Sequence, residues 1–377
     1  MSRAPFTPTI AALPKLVPFI GPEAMERARG RPFRARLGAN ESVFGPSPQA
    51  LSAMRDAVSA NWKYSDPENY ELRTAIAAYH GVPIECVVVG EGIDGLLGLT
   101  CTLFLTPGDG VVTTDGAYPT FNFHVLAHGG KLHPIPMDAV HEDVPRLIET
   151  AKTTGSRLIY VSNPNSPMGT WWSADEIKGF IGALPPGTML VLDEAYCDTA
   201  PVPTAPPIDV SNPQVIRYRT FSKAYGLAGA RIGYAIGERS VIEAFDKVRN
   251  HYGINRVGQL GALAALLDQE YLGHAVAEIV AARQRIATIA VENGPSPLAS
   301  AANFVAIHCG ADGTFAARVL QALLMRDVFV RKPIAPGLDP FIRVSCGRND
   351  DLDVFAEALP AASLMRDGPH HERTRFR

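Results

Sequence analysis

The stretch Met189-Leu190-Val191-Leu192-Asp193-Glu194-Ala195-Tyr196 sets four apolar residues directly before a carboxylate. Such a run reads as a strand buried on both faces, and that pattern suits a parallel sheet covered by helices. Asp193 then falls at the carboxyl end of the strand, the edge where open α/β sheets bind their ligands. Working outward, similar short apolar runs recur at Cys86–Val89, Gly110–Thr113, Leu158–Ser162, Val215–Tyr218 and Gly233–Ile236. Helical spacing fills several of the intervals, at Asp94–Phe104, Ser173–Ala183 and Arg239–Arg249. Ser173-Ala174-Asp175-Glu176 has the form of a capping box. Strands alternating with helices define an α/β layered domain.

Pro48–Val58 and Tyr70–Tyr79 add two helices around a turn at Tyr64-Ser65-Asp66-Pro67. Residues 1–44 are rich in proline and arginine and read as an irregular N-terminal arm that joins a small lobe. Residues 45–270 form the large domain and 271–377 the C-terminal small domain. Around and beyond that boundary, a long helix or a pair of them, Ala262 to about Val291, precedes short strands at Asn303–His308, Val328–Arg331 and Phe341–Ser345, an α+β pattern. The tail from Arg366 is charged and expected to fray.

The 377 residues carry a net charge of −3, with 46% hydrophobic and 19% charged positions. A disordered chain is excluded, and nothing favours a nucleic-acid or membrane-surface partner. The 33 glycines and 31 prolines follow no collagen period and point to many turns. Cys86, Cys101, Cys197, Cys309 and Cys346 are scattered, which supports neither a disulfide framework nor a zinc site and suggests a reducing, cytoplasmic setting. No secretory signal or membrane span is read. His124 and His128 read as core or supporting residues, and Trp171-Trp172 as packing.

The second informative stretch is Thr220-Phe221-Ser222-Lys223-Ala224-Tyr225-Gly226-Leu227-Ala228-Gly229-Ala230-Arg231. Hydroxyls flank a lysine, glycines follow, and an arginine lies eight residues on. Desolvation or nearby cations make such an amine nucleophilic. Hydroxyls and an arginine fork are what a phosphate needs. A phosphorylated aldehyde cofactor attached to Lys223 would use all of these groups. Asp193, thirty residues upstream, would pair with a protonated pyridine nitrogen, and Tyr196 could hydrogen-bond a ring hydroxyl.

With these residues in place, the chain resembles the fold type I pyridoxal-phosphate aminotransferases, and within them the histidinol-phosphate aminotransferase subgroup. The likeness extends over nearly the whole chain. Leu37-Gly38-Ala39-Asn40-Glu41-Ser42, Tyr64-Ser65-Asp66-Pro67, Asn163-Pro164-Asn165-Ser166-Pro167-Met168-Gly169 and Phe341-Ile342-Arg343-Val344-Ser345-Cys346-Gly347 resemble that subgroup's motifs, in order.

The resemblance implies pyridoxal 5'-phosphate as cofactor and a Schiff base at Lys223, with Asp193 and Tyr196 on the ring. It implies that Thr220, Ser222, Arg231 and the backbone of Gly92-Ile93-Asp94 hold the phosphate, and that Phe121 stacks on the ring. Tyr64 would reach the neighbouring subunit's cofactor, which implies a homodimer with shared sites. Asn40, Asn255, Arg331 and Arg343 would face substrate: Arg343 a carboxylate, Arg331 a phosphate. The implied reaction moves an amino group from an amino acid or amino-alcohol phosphate to a 2-oxo acid such as 2-oxoglutarate. No metal is implied.

Three positions depart from the subgroup, one of them Ile93 in the phosphate loop, where relatives often have Ser or Ala and where a backbone contact is little affected. Ser166 stands where the ring-oxygen asparagine is expected, leaving that contact to Ser166, Asn163 or Asn165. Phe19 replaces a substrate-touching tyrosine. A decarboxylase or lyase on the same scaffold would share every cofactor residue. Gly90-x-Gly92-x-x-Gly95 with Asp115 also has the spacing of a dinucleotide fingerprint, so an NAD-dependent dehydrogenase is a remote alternative. It gives no reason for Asp193, Lys223, Arg231 and Arg343 together.

Overall fold

The computed structural model describes residues 4–14 and 20–363. The departure at Phe19 and the tail from Arg366 therefore lie outside the described residues. Twelve strands run in chain order as β1 (Ala35–Arg36), β2 (Val87–Gly90), β3 (Gly110–Thr114), β4 (Lys131–Ile135), β5 (Leu158–Ser162) and β6 (Met189–Asp193), then β7 (Val215–Thr220), β8 (Gly233–Ile236), β9 (Ser296–Pro297), β10 (Phe304–His308), β11 (Val328–Phe329) and β12 (Phe341–Ser345).

Seven of them form the central sheet in the order β2-β8-β7-β6-β5-β3-β4. Its pairings from β7 through β6, β5 and β3 to β4 are parallel, and β8 runs antiparallel to both β7 and β2. The sheet is apolar on both sides because it is covered on both sides. Alternate residues serve opposite layers: Leu158, Tyr160, Val191 and Ile216 pack on one, Ile159, Val161, Leu190 and Leu192 on the other. The mostly parallel α/β domain expected from the sequence is thus the observed one.

The small lobe has its own core. There β10 lies between β12 and β9, antiparallel to both, beneath the helices Gly313–Met325 and Asn349–Ser363. The N-terminal arm is more regular than expected. It contains helices Pro8–Ala12 and Pro22–Arg29, and β1 pairs in parallel with β11. A two-residue strand is too short to show a period, so the pairing is set by the lobe it joins.

Helix Gln269–Glu292 spans the expected boundary at 270. Leu272, in its first turn, packs with the large domain, whereas Ile279, Ile286 and Ile289 enter the small-lobe core. Among the described residues no helix is long and apolar enough to cross a membrane.

Candidate active site

Register explains why chemistry-bearing residues converge at one edge. Ser162 lies opposite Asp193 and Asp193 opposite Tyr218, so the ends of β5, β6 and β7 open at one level. A cavity of about 510 Å³ opens there, bounded by those strand ends, the start of helix Gly92–Phe104, the Asn40 segment and the small-lobe arginines. Its volume suits a cofactor together with a small substrate.

Asp193 is buried and accepts the Tyr160 hydroxyl at 2.7 Å and the Ala195 amide at 3.0 Å. No cation pairs with it among the described residues, and burial pushes its carboxyl up to about 6. A buried carboxyl without a counter-ion is costly; it is suited to receive a cationic ring nitrogen. The neighbouring Glu194 has the opposite surroundings. Burial would raise its pKa, but Arg219 and Arg217, at 3.0 and 2.7 Å, hold it below the usual range. Glu194 thereby anchors the turn that carries Asp193 and Tyr196.

Lys223 Nζ donates to the Asn40 carbonyl at 3.1 Å and lies 5.5 Å from the centre of the Tyr196 ring. Asn40 is buried, has φ of 56°, and is held on every side. Its amide nitrogen Nδ2 donates to Tyr196 Oη at 3.0 Å, its Oδ1 accepts the Ser345 hydroxyl at 2.9 Å, and its carbonyl also accepts Asn303 Nδ2 at 3.0 Å.

At the other end, Thr220, Ser222, Ile93, Asp94 and Arg231 line the cavity together. Arg231 donates to Ser222 Oγ at 3.4 Å and to the Ala228 carbonyl at 3.0 Å, and no carboxylate pairs with it among the described residues. Gly92 has φ of 72°, and a Cβ there would stand 2.5 Å from Arg231 Nη2. Glycine is therefore favoured beside this guanidinium, at the start of a helix where free amides favour an anion.

Arg343 and Arg331 form the small-lobe wall, their backbones paired in an isolated bridge. Arg343 lies over Phe304 at 5.1 Å, and its buried Nε has no hydrogen-bond partner. Burial, and to a lesser degree the nearby Arg331, lower its pKa. Arg331 donates to the Ile20 carbonyl at 2.8 Å.

Two expected site residues, Phe121 and Asn255, lie outside the cavity lining, and among Ser166, Asn163 and Asn165 only the first lines it. Phe121 is fully buried and stacks on Tyr160 at 4.6 Å, outside the cavity wall. Helix Pro119–Ala127 turns Phe121 toward the sheet, and Tyr118 before it faces the cavity with its hydroxyl on Asp94 at 2.9 Å. Asn255 caps helix Arg256–Leu267, bonding Gly258 N and the Ala230 carbonyl, and does not line the cavity. Asn163 and Asn165 spend their side chains on Trp172, Thr204, Glu142 and Met168, so Ser166 alone of the three lines the wall.

Tyr64 is exposed, packs on Tyr252 and does not reach this chain's own cavity. Tyr160 was not anticipated. The signal available was the two-residue period of β5, which puts it on the same face as Ser162, opposite β6. The spacing match to a dinucleotide fingerprint falls on β2, an edge strand antiparallel to its neighbour, and not within a parallel strand–helix–strand unit. Among the described residues no cluster could hold a metal.

A carboxylate for a ring nitrogen, a lysine beside it, an anion cradle and an arginine wall define a pyridoxal-phosphate enzyme. Residues 35–359 match the family model for aminotransferase class I and II, and the chain belongs to that family. It is a pyridoxal-phosphate-dependent aminotransferase, with an aspartate-aminotransferase-like fold. The chain is 46% identical to the crystal structure of histidinol-phosphate aminotransferase from Sinorhizobium meliloti in complex with pyridoxal-5'-phosphate. That match covers 96% of this chain and 98% of that one, with a TM-score of 0.93. Histidinol-phosphate aminotransferases from Anaeromyxobacter sp. and Moorella thermoacetica are 34% and 31% identical, over 93% and 89% of this chain and 97% and 87% of theirs. The decarboxylase and dehydrogenase alternatives are not favoured by these relatives.

Proposed function

We propose that the amino donor is a histidinol-phosphate-like amino-alcohol phosphate and that the acceptor is a 2-oxo acid such as 2-oxoglutarate. The carrying observation is the pair of arginines on one wall, Arg331 and Arg343, joined backbone to backbone and lining the same cavity as Lys223. Each can bind one anionic group with a planar fork. Arg343 takes the acceptor's α-carboxylate and Arg331 the donor's phosphate.

The bound cofactor supplies an electron sink for the substrate's α-carbon. Asp193 pairs with its ring nitrogen. Tyr196 and Ser166 take its ring oxygen. Thr220, Ser222, Arg231 and the amides of Gly92, Ile93 and Asp94 hold its phosphate, while Tyr118 faces the same space. Lys223 Nζ carries the cofactor at rest. Once displaced by the donor, it moves a proton off the substrate's α-carbon, a transfer worth roughly 10²–10⁴-fold when well positioned. Asn40 Nδ2 restrains the Tyr196 hydroxyl during that transfer. Tyr64 contacts the cofactor phosphate of a second copy of the chain, in a cytoplasmic homodimer with shared sites; its exposure and its place outside its own cavity's lining support this.

The test is a donor panel read by formation of the amine cofactor. Histidinol phosphate should react with kcat/KM at least about tenfold above histidinol, a difference that Arg331→Ala removes, as expected for a charged hydrogen bond. Equal rates for the two donors in the wild-type enzyme would overturn the donor assignment.

A further inference from the structure

Glu142 sits outside the machinery just described, in the segment between the Asp138–His141 bridge and helix Val144–Thr154. It is 2% exposed. One oxygen, Oε1, accepts three donors: Asn165 Nδ2 at 2.7 Å, Ser162 Oγ at 3.1 Å and Ser162 N at 3.3 Å. The other, Oε2, is buried and makes no hydrogen bond of ordinary geometry, with the Thr114 side chain close enough to favour the charged carboxylate. Burial pushes the carboxyl up to about 7. Such a group is expensive to place in a core, so its position calls for an account.

The hydroxyl it captures supplies one. Ser162 Oγ donates to Glu142 and so presents its lone pairs to the Ser166 amide at 3.3 Å. A continuous chain therefore runs from Glu142 through Ser162 to the backbone of Ser166. Glu142 also fixes Asn165, whose Oδ1 accepts the Met168 amide at 3.1 Å. Both ends of the loop 163–169 are tied by one carboxyl. The Ser166 hydroxyl itself has no hydrogen-bond partner among the described residues and lies in the cavity wall. A hydroxyl is shorter than the asparagine amide expected there, so its backbone must be placed closely for it to reach a ligand.

We propose that Glu142 is a positioning residue for the cofactor: through the Ser162 hydroxyl it fixes the Ser166 backbone so that the Ser166 hydroxyl meets the cofactor's ring oxygen. The inference rests on the reading that Ser166 faces that oxygen. Glu142 touches neither cofactor nor substrate and acts only through the serines.

The experiment uses holoenzyme and apoenzyme of the wild type, Glu142→Ala, Glu142→Gln, Ser162→Ala, Ser166→Ala and the double variant Glu142→Ala/Ser166→Ala. Two quantities are read: the ratio of the absorption bands of the Lys223-bound cofactor at fixed pH, and the dissociation constant of apoenzyme for pyridoxal phosphate. Glu142→Ala, Ser162→Ala and Ser166→Ala should shift the band ratio in one direction and weaken binding about 3- to 10-fold, the range of one lost hydrogen bond. The double variant should be no worse than Ser166→Ala alone. Glu142→Gln should stay near wild type, because its amide carbonyl accepts the same donors.

Additive effects in the double variant, or a Glu142→Ala holoenzyme with an unmoved band ratio, would overturn the proposal. Should Glu142→Ala give no soluble protein, Ser162→Ala carries the same test, since it removes only the linking hydroxyl. Wild-type protein reduced with borohydride separates the two levels: no mass adduct at Lys223 defeats the cofactor-site reading itself. An adduct with unchanged band ratios in the serine and Glu142 variants defeats only the positioning role.

Discussion

Asp193 and Lys223 face the same cavity but are held by different means. Asp193 receives only a tyrosine hydroxyl and one amide, and its carboxyl sits at about 6 against an ordinary 3.8. A carboxyl raised in the folded state gives stability that is present below its unfolded pKa and is lost as pH rises through the folded value. Asp193→Asn should therefore leave the melting temperature of apoenzyme nearly unchanged below pH 3.8, raise it progressively between 3.8 and about 6, and hold a constant advantage above that. The same variant should bind pyridoxal phosphate about 10- to 100-fold more weakly at pH 8, since a charged hydrogen bond is lost. Thermal melts and cofactor titrations across pH check both halves. Lys223→Ala should lower turnover by at least about 10³-fold, measured in the half-reaction, while retaining some affinity for the cofactor.

Both residues were legible because each closes a patterned stretch: an apolar strand before Asp193, hydroxyls and glycines around Lys223. Tyr160 and Glu142 were not. Each lies in an ordinary stretch of sequence, and its significance comes only from the register of β5 against β6 and from a loop folded back onto it.

At the level of elements, the central strands were readable for a physical reason. Burial on both faces leaves an uninterrupted apolar run, and β5, β6 and β8 fall within a residue of their expected limits. The edge strand β4, Lys131-Leu132-His133-Pro134-Ile135, escapes this reading, because charge and a proline are tolerated where one side of the ladder is open. The capping box at Ser173 and Glu176 is formed as expected, with reciprocal bonds to both backbone amides. Ser173→Ala should cost about 1 kcal/mol in chemical denaturation and leave cofactor affinity untouched, since this helix start is remote from the cavity lining. Gly92→Ala should do the reverse. Its φ of 72° and the crowding of Arg231 disturb the anion cradle, so binding of pyridoxal phosphate should fall by about tenfold or more while the melt changes by only about 1 kcal/mol; titration of the apoenzyme measures it.

For the whole molecule, the sequence pointed to one large domain with a lobe assembled from both chain ends, and β1 beside β11 is the seam of that assembly. The exact seam was not legible, because helix Gln269–Glu292 belongs to both bodies and no composition change marks the crossing. Ligand binding only to the folded state should raise the melting temperature with cofactor concentration, by the equivalent of about 4 kcal/mol at a thousandfold excess over the dissociation constant; calorimetry with and without pyridoxal phosphate reads this.

Asn40 adds a mechanical consequence. Its carbonyl is shared by the lysine of the large domain and by Asn303 of the small lobe, while its side chain spans Tyr196 and Ser345. It is a rivet through two plates. Any tilt of one plate against the other is delivered, undamped by solvent, to the amine that performs the chemistry, so substitutions far out in the small lobe have a direct route to the reactivity of Lys223.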